Sequence, residues 1–231
     1  GDSDGDSDGD SDGDSGGDSG GDSDGGGPGA EGGALLGVDV NGATLGAFAD
    51  ADATLGPALP LIDVLHANLE EAMHITGVDG ELDESSVTQD QLASLVAPLL
   101  SKGAAIVAIT LGARGAYVAV TEDDERLTRS VTLKAVAAPW RGQDILLPAL
   151  PAEGEINGNG AGDAFTAGLL AAMLWREGGN NDTLSLERAL TVALSSACQR
   201  VDTARRDKPQ TISEVVQQAE QQAQEEAVVA A

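Results

Sequence analysis

Basic residues are scarce in this 231-residue chain: 12 Lys and Arg stand against 39 Asp and Glu, a formal net charge of −27. Such a field repels polyanions, so nucleic acid and anionic membrane surfaces are excluded as partners. Cysteine is almost absent. Cys198 alone cannot form an internal disulfide, and its place on a late helix reads as packing rather than as a nucleophile. No apolar run approaches the roughly 20 residues that a bilayer crossing needs, and no charged-then-apolar leader follows Gly1. These gaps fit a soluble protein of a reducing intracellular compartment, with the cytoplasm as the first choice. Trp140 and Trp175 read as core rather than stacking platforms. His66 and His74 have no partner at metal-ligand spacing and read as structural or exposed rather than catalytic.

Residues 1–33 are a low-complexity segment of Gly, Asp and Ser, whose first thirty residues hold ten aspartates and nothing larger than Pro28. It lacks the apolar surface that offsets the entropy of ordering a backbone, so the expectation is a disordered acidic tail. Without those ten charges the remaining 201 residues still carry about −17. Asp4, Asp6, Asp8 and Gly9 reproduce the opening of an EF-hand loop, but Ser15 stands where the bidentate Glu belongs. A solvated tract is the stronger reading.

From Ala34 the chain alternates strand-like and helix-like segments, the pattern of an α/β fold with a mostly parallel sheet covered on both faces. Strands are expected over 34–40, 61–66, 104–110 and 116–121, and a half-exposed antiparallel edge over 129–137, where Val131, Leu133 and Ala135 alternate with polar residues. Helices are expected over 69–76, stopped by Gly77; from a Ser86 cap through Leu92, Leu95 and Leu99; over 162–176; and over 184–203. Thr211-Ile-Ser-Glu214 is a capping box for a last helix with a thin apolar stripe.

The segment richest in chemistry is Asn157-Gly-Asn-Gly-Ala-Gly-Asp163, which runs directly into an apolar helix. Glycines at 158, 160 and 162 permit positive torsions and clear side chains from a surface a ligand must approach. The helix start adds unpaired N–H groups and the positive end of the dipole, which suits phosphate. Asp163 and Ala164 stand where a Walker loop needs Lys and Ser/Thr, and Asp163 stands where a dinucleotide fingerprint needs Gly or Ala. A carboxylate beside a phosphate site needs a task, and accepting the proton of an attacking hydroxyl is one.

Gly160-Ala161-Gly162-Asp163-Ala164-Phe165, with Ala167-Gly168, resembles the C-terminal signature of the PfkB/ribokinase family of carbohydrate and nucleoside kinases. The resemblance implies a ribokinase-like layered fold, Asp163 as catalytic base, and Gly160, Ala161 and Gly162 as anion hole, with Asn159 beside the nucleotide. Asn68-Leu-Glu-Glu71 resembles the family's N-x-x-E, which supports Mg²⁺ and phosphate through water. Thr110-Leu-Gly112-Ala-Arg-Gly115 resembles its T-L-G-x-x-G nucleotide segment. Asp39-Val-Asn41 is similar to the D-x-N of fructokinase-like members and implies a substrate or phosphate side. ATP and Mg²⁺ are the implied cofactors, and a sugar or other small hydroxyl compound is the implied acceptor.

Plain structural readings stand beside these. Asn68 and Glu71 also suit a helix cap, Thr110–Gly115 an ordinary turn, and Asp39 and Asn41 a strand end. The family's leading Asp is Asn157 here and its Thr is Gly158, which weakens the case for K⁺ activation. Ala43 replaces a common Arg. The strands, sugar-binding Asp and lid that precede Ala34 in the family have no counterpart in these residues, so a sheet edge is expected to stand open to a homodimer or protein partner. A non-catalytic kinase-fold protein that binds nucleotide or a partner is the alternative.

Overall fold

Four of the expected apolar runs pair side by side, as β1 (Gly37–Asp39), β2 (Val64–Asn68), β3 (Ile106–Thr110) and β4 (Ala116–Val120). With β5 (Asp144–Leu147) they form a sheet in the order β1-β2-β3-β4-β5. The computed structural model describes residues 34–41, 54–78, 80, 82–175, 183–205, 208 and 210–218, so the acidic repeat lies outside it. β1, β2 and β3 are parallel, whereas β4 runs against both β3 and β5. Four of the five strands therefore point one way. The reversal at β4 follows from a connection too short for a crossover: a 3-10 turn over Gly112–Arg114, closed by Leu111 N–H donating to Gly115 O at 2.9 Å.

Strand alternation divides the core between two faces. Val64, Ile106, Ala108, Ala116 and Val118 pack against α4 (Val131–Trp140), α5 (Ala161–Leu174) and α6 (Leu186–Val201). Leu65, Val107, Ile109 and Tyr117 pack against α1 (Leu69–Thr76) and α2 (Gln89–Ser101). A one-residue register slip would exchange the two sets, so the pattern fixes the pairing. Trp140 is fully buried and donates Nε1–H to Leu184 O at 2.7 Å. Cys198 is buried as expected, and burial pushes its thiol pKa up.

Local chemistry sets the helix ends. α1 begins at Asn68 in a reciprocal capping box with Glu71 and stops at Gly77, which has φ 67°. α2 begins at Thr88, not at Ser86: Thr88 Oγ1 accepts from Gln91 N–H while Gln91 Oε1 accepts from Thr88 N–H, a reciprocal box that fixes the start there. The expected capping box at Thr211 and Glu214 forms, and residues 212–218 are helical with Val215 and Val216 buried.

The expected edge strand over 129–137 is instead the helix α4, preceded by the short α3 (Asp124–Leu127). Ser130 Oγ accepts from Leu133 N–H, and Leu133, Val136 and Trp140 face the core while Val131 is 56% exposed. The segment carries apolar residues at both spacings, and the cap together with buried Trp140 decides for the helical one. β5 supplies the antiparallel edge.

Candidate functional site

The parallel strands deliver their C-terminal ends to one place. Asp39 ends β1, Asn68 ends β2 and Thr110 ends β3, with His66 paired to Asp39 and Asn68 to Thr110 across the sheet. The N-terminus of α5 descends onto these ends. The resulting cleft is lined by Asp39, Asn41, His66, Asn68, Glu71 and Thr110 from the sheet side and by Gly158 and Gly160–Asp163 from the turn. Open α/β sheets bind ligands at such strand ends.

Two of the three glycines of the turn have a structural reason, and the reasons differ. Gly160 caps α5 at φ 79°, which only glycine adopts without strain. Gly162 has helical torsions but faces His66: a Cβ there would stand 3.0 Å from His66 Cε1. A Cβ on Gly158 would meet nothing within 4 Å. Ala161 N–H donates to Gly158 O and Ala164 N–H to Gly160 O, so the amides of Gly162 and Asp163 lie ahead of the first helical acceptors. Asp163, in the first turn of α5, is exposed and has no hydrogen bond or ion pair among the described residues.

The cap at Asn68 bears directly on metal binding. Asn68 Oδ1 accepts from Glu71 N–H at 2.8 Å and Glu71 Oε2 accepts from Asn68 N–H at 2.9 Å, so the structural reading of this pair is realised. Both residues nevertheless line the cleft. Among the described residues no group of three or more His, Cys, Asp or Glu clusters as a metal cage. One carboxylate and one amide fit a hard cation that keeps its water and is held mainly by phosphate.

His66 was expected to be structural or exposed; it is 3% exposed and is one of the residues that line the cleft. Its Nδ1 stands 3.1 Å from Asp39 Oδ2, within ion-pairing distance but without hydrogen-bond alignment, and Nε2 is 3.3 Å from Thr110 Oγ1. Phe165 packs on its ring at 5.3 Å. The period-two face it shares with Asn68 was legible, but its pairing with Asp39 was not. His74 is exposed on α1.

Gly112, Gly115 and Asn159 do not line the cleft. Gly115 has φ 111°, and a Cβ there would lie 1.9 Å from Leu147 O, so β5 requires this glycine. A Cβ on Gly112, at φ 52°, would meet Glu84 Oε2 at 3.2 Å. Asn159 N–H donates to Asn157 Oδ1 at 3.2 Å, an Asx turn leading into Gly160.

With this geometry in place, residues 38–211 match the pfkB family carbohydrate kinase model, three-quarters of the sequence, and the chain belongs to that family. No curated protein matches it significantly. Among solved structures, one designated ribokinase II from E. coli aligns with TM-score 0.51 and 17% identity, covering 78% of this chain and 46% of that one. A probable sugar kinase from Rhizobium etli CFN 42 aligns at TM-score 0.50 and 17% identity, covering 80% and 44%. Arabidopsis thaliana ribokinase, solved with ribose and ATP, gives 0.47 and 24%, covering 70% and 43%. The first two likenesses, at TM-scores of 0.51 and 0.50, establish a ribokinase-like fold, and the chain spans less than half the length of these three structures. No helix of the described residues is long and apolar enough to cross a membrane.

Proposed function

We propose that this chain carries the nucleotide- and phosphate-handling part of an ATP-dependent carbohydrate kinase, in which Asp163 accepts the proton of an acceptor hydroxyl. The observation that carries the reading is the meeting of Asp163 and the Gly160–Gly162 turn with Asn68, Glu71 and Thr110 in one cleft. The amides of the turn stabilise charge on the transferring phosphoryl group, and Asp163 beside them is unencumbered by any described partner. Asn68 and Glu71 support Mg²⁺ through water, and that ion, when bound, neutralises phosphate charge. Thr110 contacts the nucleotide, with Gly112 and Gly115 shaping the turn behind it. Asp39 and Asn41 face the substrate or phosphate side.

The acceptor is a sugar or a related small hydroxyl compound, and Asp39-Val-Asn41 favours the fructokinase-like subclass. A phosphotransfer assay over a sugar and nucleoside panel tests this. Turnover by the wild type that is lost in Asp163→Asn supports the reading, whereas equal inactivity of the two removes the catalytic claim.

A second reading is favoured by the span of less than half the solved structures and by Asn157 and Gly158 in place of the family's Asp and Thr. In it the chain binds nucleotide, or a protein partner, without turnover. Calorimetry with Mg·ATP separates the two: binding without phosphotransfer favours the second.

A further inference from the structure

The cleft presents Asp39, Glu71 and Asp163 and contains no Lys or Arg. A nucleotide polyphosphate adds further negative charge there. The helix dipole opposes only part of this repulsion, being equivalent to roughly half an elementary charge. Mg²⁺, on the reading above, neutralises part of the phosphate charge, and a fixed cation beside the turn would neutralise more.

Arg200 lies where one is needed. It belongs to the last turn of α6, and its guanidinium folds over the glycine that caps α5: a Cβ on Gly160 would stand 3.0 Å from Arg200 Nε and 3.3 Å from Nη2. Arg114, Arg126, Arg129, Arg141 and Arg205 each make a side-chain hydrogen bond or ion pair, whereas Arg200, exposed, makes none among the described residues. The α6 dipole accounts for a basic residue in that turn. It does not account for a guanidinium laid against the N-terminus of α5, where a positive charge is unfavourable unless an anion joins it. Beneath Gly162, His66 of β2 is 3% exposed, and its Nδ1 lies 3.1 Å from Asp39 Oδ2 without hydrogen-bond alignment, so a buried polar atom at this cleft is left incompletely satisfied.

We infer that Arg200 is a phosphate-binding residue of this cleft, closing its guanidinium on the polyphosphate of the nucleotide held at the Gly160–Gly162 turn. The inference rests on the nucleotide-binding reading above. The planar donor fork matches phosphate oxygens in a way that a lysine ammonium reproduces only as a point charge.

Calorimetry on the whole chain with Mg·ATP and with inorganic tripolyphosphate tests it, using the wild type, Arg200→Gln and Arg200→Lys, with thermal unfolding as a check on folding. Arg200→Gln is expected to weaken both ligands about tenfold at low salt, less at high salt, with Arg200→Lys recovering part of the loss and the melting temperature unchanged. Equal affinity of wild type and Arg200→Gln for Mg·ATP overturns the role of Arg200 and leaves nucleotide binding standing. A loss that Arg200→Lys does not recover and that tracks a lowered melting temperature also overturns it, making the arginine a packing element. Failure of the wild type to bind either ligand overturns both readings.

Discussion

Asp163 and the glycines before it make separable contributions. On the proposed reading Asp163→Asn removes only the proton acceptor, so phosphotransfer should fall about 10²- to 10⁴-fold while Mg·ATP affinity stays within a few-fold, measured by kinetics and calorimetry side by side. Gly160→Ala should do the reverse, weakening nucleotide binding first, because it strains a φ of 79° and presses a methyl group on Arg200. The sequence announced Gly160 and Gly162 as a pair and gave no reason to separate them. Their different tasks, one torsional and one steric, depend on His66 arriving from β2, 96 positions earlier in the chain. Asp163 stood out in the sequence because a carboxylate in a glycine-rich turn that suits an anion is chemically out of place. Arg200 did not, since a single arginine near the end of a helix resembles any solvated one.

Where elements meet, close approach governs. A Cβ on Gly168 of α5 would fall 2.5 Å from Ser196 Oγ and 2.9 Å from Ala193 Cα, both on α6. Rotation of Ser196 moves its Oγ but not its Cβ, at 2.8 Å, nor the backbone of Ala193, so Gly168→Ala should cost about 1–3 kcal/mol in a urea melt, and Gly168→Ala/Ser196→Ala should recover only part. The junction after α6 is held by Asp202, whose side chain is fully covered. Backbone donation from Glu153 N–H, at 2.6 Å, is the main cause of its lowered pKa; burial opposes it, and the amides of Ala204 and Gly154 and the Arg205 charge add to the lowering. A folded pKa below the unfolded one means that the unfolded chain binds the proton first as pH falls. The stabilisation is therefore present above the ordinary carboxylate range and lost on acidification. Asp202→Asn should flatten the acid limb of a stability-against-pH curve while lowering its neutral plateau. The helix α4 marks the limit of pattern reading, because its apolar residues satisfy both periods and burial of Trp140 selects one.

Across the molecule, the two ends of the sheet carry different duties. The cleft lies at the C-terminal ends of β2 and β3; at the other end Arg126 is buried, paired with Asp63 at 2.9 Å and donating to Ile62 O and Gly103 O. Arg129 reaches Pro60 O beside it. Removing one member strands a buried charge, so Arg126→Met should cost about 3–5 kcal/mol. Far from the cleft, it should leave Mg·ATP affinity unchanged under conditions where the variant stays folded. Stability from denaturant melts and affinity from calorimetry should thus move independently, and a coupled loss of both would show that the two ends are not separable.

The sequence alone determined the α/β class, the strands β1 to β4, the span of α1 and the glycine-rich turn that opens α5, because these follow from local periodicity, capping chemistry and glycine placement. Folding in three dimensions decided which side chains share the cleft. It brought His66 beneath Gly162, set Arg200 over Gly160 and turned 131–140 into a helix. Those outcomes depend on strand register and helix docking, which join residues far apart in sequence and leave no periodic trace along the chain.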